Sequence, residues 1–336
     1  MIADAITRAV SGEPLEGALM EGAMEAILAG SASPAQIAAL AVALRMKGET
    51  AEELGAAARV LRRRAVPLAL ERERLLDTCG TGGDGAGTFN ISTVCAIVVA
   101  ACGVPVAKHG NRAVSSRSGS ADVLEALGVP LDPDPAAAAR TLDRLGIAFL
   151  FAPAFHGALK HAAPVRRELG LRTFFNLLGP LANPAGATHQ LLGVYDPARV
   201  RQIAEVLGAL GVRGAWVVHG HGGLDEVSPS GPTRVAVLSG GLVAERTVEP
   251  ADFGLDAVPL ASIAGGDARE NARIARAVLS GERGPARAAV VINAAAALCA
   301  AGETDDLHEA RARAERAIDA GAALALLDRW IERADP

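Results

Sequence analysis

Asp77-Thr78-Cys79-Gly80-Thr81-Gly82-Gly83-Asp84-Gly85-Ala86-Gly87-Thr88-Phe89-Asn90-Ile91-Ser92-Thr93 is the stretch on which the reading of this chain turns. Leu75-Leu76 before it ends a short buried strand, and the small, apolar run Val94–Cys102 after it suits a buried helix. Five glycines fall in the eight positions 80–87. They weigh against folding, because glycine loses more freedom on ordering than any other residue. In return they leave backbone N–H groups bare at a strand-to-helix turn, where side chains would keep a phosphate out. No Gly-Lys-Ser/Thr follows, so this is not a P-loop. The acidic residue that a dinucleotide fold places about 20 positions further on is also missing. Asn90, Ser92 and Thr93 sit where the next helix begins and can hold a phosphate or a cation; ordinary capping explains Asn90 or Ser92 taken alone.

Outward from this loop the chain has two textures. The first 65 residues read as helices only: Pro14–Ala29, then a segment opened by Ser33-Pro34 and stopped by Gly48, then one opened by the capping box Thr50-Ala51-Glu52-Glu53 and ending at Arg62-Arg63-Arg64. From about Leu75, strands alternate with helices, the pattern of a mainly parallel sheet covered on both faces. Candidate strands are Val104–Ala107, Ala148–Phe151, Gln190–Tyr195, Ala215–His219 and Arg234–Leu238. Candidate helices are Ala121–Leu127, Pro135–Leu145, Ala198–Leu210, Glu270–Leu279, Pro285–Ala300 and Leu307–Ala320. The Gly/Pro-rich passage 164–184 interrupts this rhythm and suits a return to the helical module. The expected fold is α/β: a small all-helical domain, 1–70 plus about 165–185, and a larger α/β domain, 71–164 and 186–336.

Composition narrows the function. A net charge of −5 and 3% aromatic residues speak against nucleic-acid binding, which wants a basic stripe and stacking platforms. No apolar run reaches the ~18–20 residues of a membrane helix. The N-terminus lacks the basic and apolar regions of a signal peptide. Cys79, Cys95, Cys102 and Cys299 show no C-x-x-C spacing, so neither a zinc site nor a disulfide framework is indicated. A reduced, soluble, cytoplasmic protein is expected.

Three more clusters follow. Lys108-His109-Gly110-Asn111-Arg112-Ala113-Val114-Ser115-Ser116-Arg117-Ser118-Gly119-Ser120-Ala121-Asp122 concentrates cations and hydroxyls after a strand, where open α/β sheets place ligands. Lys108 is one of only three lysines among 33 basic residues, and it emerges directly from an apolar run. His219-Gly-His221-Gly-Gly-Leu-Asp225-Glu226 offers two adjacent carboxylates in a glycine-bounded loop, suited to Mg²⁺ shared with substrate phosphates. His156 to Gly170 carries Arg166, whose guanidinium can take a small carboxylate through paired N–H bonds; a solvated basic face explains it equally well. No nucleophile–base–orienter set is present, which counts against acyl transfer. Pyrophosphate held by metal, lysine and backbone amides is the simplest reading.

Cys79–Asp84, Phe89–Thr93, Lys108–Arg112, Ser118–Asp122, Pro164–Gly170, Phe175–Pro180 and Asp225-Glu226, in this order and spacing, resemble the anthranilate phosphoribosyltransferase family. The resemblance implies a helical domain hinged to a nucleoside phosphorylase-like α/β domain and a homodimer joined through the helical domains. It also implies Mg²⁺ dependence and transfer of a phosphoribosyl group from 5-phosphoribosyl 1-diphosphate to anthranilate in tryptophan biosynthesis. By motif, Gly80, Gly83, Asp84, Thr88, Asn90, Ile91, Ser92 and Thr93 would hold the donor. So would Lys108, His109, Gly110, Asn111, Arg112, Ala113, Val114, Ser115, Ser116 and Ser120, with Lys108 as the catalytic cation. Ser92, Asp225 and Glu226 would bind the metal; Gly80, Asn111 and Arg166 would meet anthranilate, with His109 and His156 lining its path. Two rivals share parts of this pattern. A nucleoside phosphorylase of the same fold would not need the Asp225-Glu226 pair, and a non-catalytic nucleic-acid-binding paralogue would want a basic groove.

Overall fold

The computed structural model describes residues 1–68, 72–113, 117–131 and 134–332. Four helices come first: α1 (Ile2–Val10), α2 (Gly17–Leu28), α3 (Pro34–Lys47) and α4 (Ala51–Arg64). Their ends follow from local chemistry. Ser33 Oγ accepts from Gln36 N while Ser33 N donates to Gln36 Oε1, and Thr50 and Glu53 make the same reciprocal pair at the start of α4. Gly48 ends α3 at φ +86°, a conformation other residues rarely adopt. Helix α1 was not expected, because its two buried residues are only Ala5 and Ala9 and leave almost no apolar period.

The chain then alternates through β1 (Leu76–Gly80), α5 (Ile91–Ala101), β2 (Val106–Gly110), α6 (Ser120–Leu127), α7 (Pro135–Leu145) and β3 (Ile147–Phe151). Three short helices follow, α8 (Ala152–Phe155), α9 (Ala163–Leu169) and α10 (Phe174–Leu181). Next come β4 (His189–Gly193), α11 (Val200–Ala209), β5 (Gly214–Gly220), β6 (Thr233–Ser239) and β7 (Leu242–Val248). The chain closes with α12 (Ala268–Leu279), α13 (Pro285–Ala300), α14 (Leu307–Asp319) and α15 (Ala322–Glu332). Among the described residues no helix is long and apolar enough to cross a membrane.

The sheet runs β3-β2-β1-β4-β5-β6-β7, parallel from β3 to β5 and antiparallel at β6 and β7. Strand β7 is an unforeseen addition. Gly240 and Gly241, both at positive φ, form a two-residue hairpin turn that returns the chain beside β6. The crossover from β3 to β4 places β4 beside β1, so the strand order reverses there, and open sheets bind ligands outside the carboxyl ends of strands at such a point.

Each sheet face has its own cover. Val106, Phe149, Leu191, Trp216 and Val218 face a core built with α5, α13, α14 and α15. Helix α13, lying between β4–β5 and α14, is buried nearly all round. On the other face Leu192, Val194, Ala215 and Val217 join α11 and continue without a break into the N-terminal helices. Helices α9 and α10 pack on α3 and α4 in that same core, so the segment after β3 sits with the helices at the start of the chain.

A buried polar hub pins this segment to the sheet. Asn183 Nδ2 donates to Asp77 Oδ2 and to Ala107 O, both at 2.8 Å, while its Oδ1 accepts from Ala185 N at 2.9 Å. Asp77 Oδ1 in turn accepts from His109 N at 3.1 Å. Asn183→Ala strands a buried carboxylate oxygen and a buried carbonyl, and is expected to lower the unfolding free energy by about 2–3 kcal/mol. Urea denaturation checks this; an unchanged midpoint would show that the hub does not hold the segment.

Candidate active site

The carboxyl ends of β1, β2, β4 and β5 meet over the order reversal, and four chain segments converge there. The first is the glycine loop. Gly82, Gly83, Gly85 and Gly87 all adopt positive φ, which lets the loop fold without Cβ strain. Its far end is fastened by an antiparallel bridge between Thr88 and Ala264 and by Gly265 N donating to Gly87 O at 2.8 Å.

The second segment brings the carboxylates to this loop. Gly82 N donates to Asp225 Oδ2 at 2.7 Å, and Ser92 N at the start of α5 donates to Glu226 Oε1 at 3.1 Å. Asp225 lies so close over the strand ends that a Cβ on Gly80 would overlap its carboxylate, and one on Gly193 would overlap its backbone carbonyl. These two glycines are partners in the β1–β4 register. Gly193 could not be found from sequence, because what excludes a side chain there comes from a loop 32 positions away.

The carboxylates are electrostatically strained. Burial, and then the nearby Asp84 carboxylate, push Asp225 up to about 6. Burial and then Asp225 push Glu226 well above the usual carboxylate range, while Lys108 pulls the other way. Glu226 Oε2 is buried with no hydrogen-bond partner. Among the described residues no three His, Cys, Asp or Glu side chains form a ready metal cage. The set is instead two hard carboxylates with one free oxygen, which suits an ion that completes its shell from water and substrate phosphates. His219 is engaged elsewhere: its Nδ1 pairs with Val194 O at 2.8 Å.

Lys108 lies below the rim. Its side chain is 2% exposed, and Nζ donates to Thr78 O and, at 3.2 Å, to Ser92 Oγ. Because β2 extends to Gly110, the first residues of the cationic cluster, Lys108 and His109, are strand residues, buried because both faces of the sheet are covered. The ammonium thus ties the end of β1 to the first turn of α5 and lends its charge to the loop from beneath.

The rest of this cluster is a well-braced turn. Ala113 N and Gly119 N donate to Asp122 Oδ2, and Ser120 Oγ donates to Asn111 O. Arg112 is ion-paired with Asp122 at 3.0 Å and Glu125 at 2.8 Å, both on α6. Asn90 is also braced: its Nδ2 donates to Ser118 O and its Oδ1 accepts from Asn271 Nδ2. Val114, Ser115 and Ser116 lie outside the described residues.

The fourth segment approaches from α8–α10. His109 Nδ1 donates to Gly179 O at 3.2 Å, its Nε2 is buried without a partner, and its ring meets His156 edge-on with centroids 5.0 Å apart. Burial drives His109 down to about 3 and His156 down to about 4, so both rings are neutral at pH 7. Arg166 stands half-buried over the Phe175 ring, 5.5 Å from its centroid, with no carboxylate partner among the described residues.

Known proteins are similar to this chain over nearly its whole length. The family models for the helical bundle domain and the a/b domain of a glycosyl transferase family match residues 3–65 and 72–324. The chain is 57% identical over 335 residues to the anthranilate phosphoribosyltransferase of Moorella thermoacetica, with 99% of each chain covered. It belongs to the anthranilate phosphoribosyltransferase family of glycosyl transferases. Among solved members of the family, the Thermus thermophilus enzyme superposes with a TM-score of 0.93 at 48% identity, covering 98% of both chains. The Saccharomyces cerevisiae enzyme in complex with PRPP and Mg gives 0.90 at 30% identity, covering 98% of this chain and 97% of that one. A second yeast structure, with 4-fluoroanthranilate, gives 0.87 at 29% identity over 99% and 98%.

The two depressed histidines carry a pH signature. An unfolded imidazole titrates near ~6.5, so below that pH the unfolded chain binds protons that these folded rings refuse. Stability is therefore whole above pH ~6.5 and falls as pH drops toward the folded values. His156→Asn is expected to flatten this acid limb between about pH 6.5 and 4 in thermal melts. A limb of unchanged slope would show that the ring is not buried in its neutral form.

Proposed function

We propose that this chain transfers the phosphoribosyl group of 5-phosphoribosyl 1-diphosphate to the amine of anthranilate, giving N-(5-phosphoribosyl)anthranilate and diphosphate for tryptophan biosynthesis. One observation carries the reading. The Gly82–Asp225 and Ser92–Glu226 hydrogen bonds bring a glycine cradle, a helix start and a carboxylate pair to one rim of the sheet. The yeast relative was solved with PRPP and Mg, and again with an anthranilate analogue.

The division of labour follows from the chemistry. An arylamine is already neutral at pH 7, so the attacking nitrogen needs no strong base, and the buried neutral histidines fit an acceptor path rather than proton abstraction. The difficult event is departure of a multiply charged diphosphate from C1 of the ribose. Fixed donors aimed at the departing oxygens stabilise that charge without reorganising. Loop N–H groups not already spent within the protein, as those of Gly82 and Ser92 are on Asp225 and Glu226, would supply them, and Lys108 holds Ser92 and the loop in place from below. Asp225, Glu226 and Ser92 would hold Mg²⁺, which supplies charge neutralisation and a template for the diphosphate. Asn111 and Arg166 would meet the acceptor's carboxylate.

The same reading takes the chain to be cytoplasmic and a homodimer, without nucleic-acid or membrane partners. Among the described residues, three of the four large apolar side chains at least 72% exposed, Met1, Val10 and Met46, lie in the N-terminal helical segment and support a dimer through it. Residues 1–70 with about 165–185 then form one moving lobe, whose closure over the rim would exclude water. A monomeric mass in solution would remove the dimer from this reading.

Anthranilate fluorescence is expected to disappear only when the phosphoribosyl donor and Mg²⁺ are both present; loss without the donor would sink this reading, and phosphorolysis of a nucleoside without metal would favour the phosphorylase reading. Asp225→Asn is expected to abolish the Mg²⁺ dependence together with most activity. Lys108→Ala is expected to lower kcat roughly 10²–10³-fold, the scale of losing a transition-state donor system, and an unchanged kcat would release Lys108 from its role. Arg166→Ala should raise KM for anthranilate far more than KM for the donor. The opposite split would move Arg166 to the diphosphate side.

A further inference from the structure

A cation outside the motif residues lies directly against the glycine loop. Arg172 occupies the turn between α9 and α10, and a Cβ built on Gly83 would come 2.5 Å from its Nη2 and 2.9 Å from its Cζ. The guanidinium therefore fills space beside the loop that only a glycine at position 83 leaves open. The same guanidinium is stacked on Tyr195, 4.4 Å from the ring centroid. Tyr195 is the chain's only tyrosine, and its backbone N–H donates to Thr81 Oγ1 at 3.1 Å, so stacking platform and loop are fastened together. On its other side Arg172 precedes Thr173, which is buried and whose N–H donates to Asn176 Oδ1 at 3.0 Å at the start of α10.

What Arg172 lacks is an anion. Among the described residues it has no ion pair and no hydrogen bond, whereas Arg112 is held by two carboxylates. Stacking sets the plane of the guanidinium while leaving its N–H fork free, an arrangement matched to a phosphate and not available to lysine. The space beside Gly83 is bounded at Gly82 by Asp225, whose Oδ2 accepts from Gly82 N, while Glu226 holds Ser92 N. A diphosphate seated there would meet a metal at one end and would otherwise want a cation at the other.

We infer that Arg172 is a donor-binding residue that clamps a diphosphate oxygen against the Gly82–Gly83 edge. This rests on the phosphoribosyl-transfer reading above. Because Arg172 comes from the α9–α10 turn, packed on α3 and α4, it also ties the seating of the donor to the position of the helical segment.

The test uses the full-length protein and two variants, R172Q and R172K. R172Q keeps a planar group on Tyr195 but loses the charge; R172K keeps the charge but loses the stack. A hydrogen bond to a charged group is worth roughly 10–100-fold in affinity. R172Q is expected to raise KM for the donor by that factor and leave KM for anthranilate within about twofold. It should weaken inorganic diphosphate, titrated calorimetrically with Mg²⁺, to the same degree. R172K is expected to recover part of the loss. An R172Q variant with donor KM and diphosphate affinity within about twofold of the parent would overturn the inference, as would equal rises in both KM values with a lowered melting temperature. The diphosphate titration does not depend on the acceptor. Failure of the parent protein to consume anthranilate would therefore sink the transfer reading while leaving the assignment of Arg172 separately measurable.

Discussion

A buried ammonium has to be surrounded by groups that repay its lost hydration, and at Lys108 that requirement organises the carboxyl-end rim of the sheet. Isolated charges in an apolar interior cost several kcal/mol each even after relaxation. Here the amine finds Thr78 O and Ser92 Oγ, with the carboxylates of Asp77 and Glu226 in its field. These groups belong to three different elements: the end of β1, the start of α5 and the loop after β5. None of them can shift far without uncovering the charge. The glycine loop is consequently held between fixed ends.

The negative side of the rim is left out of balance. Asp84, Asp225 and Glu226 crowd one another, two of them are raised by burial, and one oxygen of Glu226 has no partner. A fold that only had to be stable would not hold acids in this way. Such tension is characteristic of sites whose missing partner arrives with the substrate. His109 and His156 show the reverse case: burial holds them neutral, leaving an uncharged wall near a heavily charged one.

Much of this was legible before any coordinates. The glycine loop, the capping boxes at Ser33 and Thr50, and the carboxylate pair all rest on residues a few positions apart, so local chemistry reveals them. Strands and helices of the α/β part fell within a few residues of where alternation and apolar period put them, except that β1 starts at Leu76, where the strand was expected to end, and runs on into the glycine stretch to Gly80. What stayed hidden was long-range or exposed. Gly193 and Asn183 matter because of residues 32 and 106 positions away. Arg172 resembles any surface arginine until Tyr195 is brought beneath it. The pairing of Arg112 with Asp122 and Glu125 likewise joins residues 10 and 13 positions apart. Strand β7 escaped because most of its residues face solvent and show no alternation.

That last strand bears on how the molecule behaves in a crowded solution. It ends the sheet with a row of backbone donors and acceptors that no eighth strand satisfies, an invitation for another chain to pair. The edge answers with charge, since Glu245 and Arg246 sit mid-strand and Glu245 is paired to Arg234 on β6 at 2.7 Å. Replacing these residues with apolar ones would not alter the rim at the β1–β4 boundary, from which β5 and β6 separate this edge. It would, however, turn a guarded border into a template for fibre-like stacking.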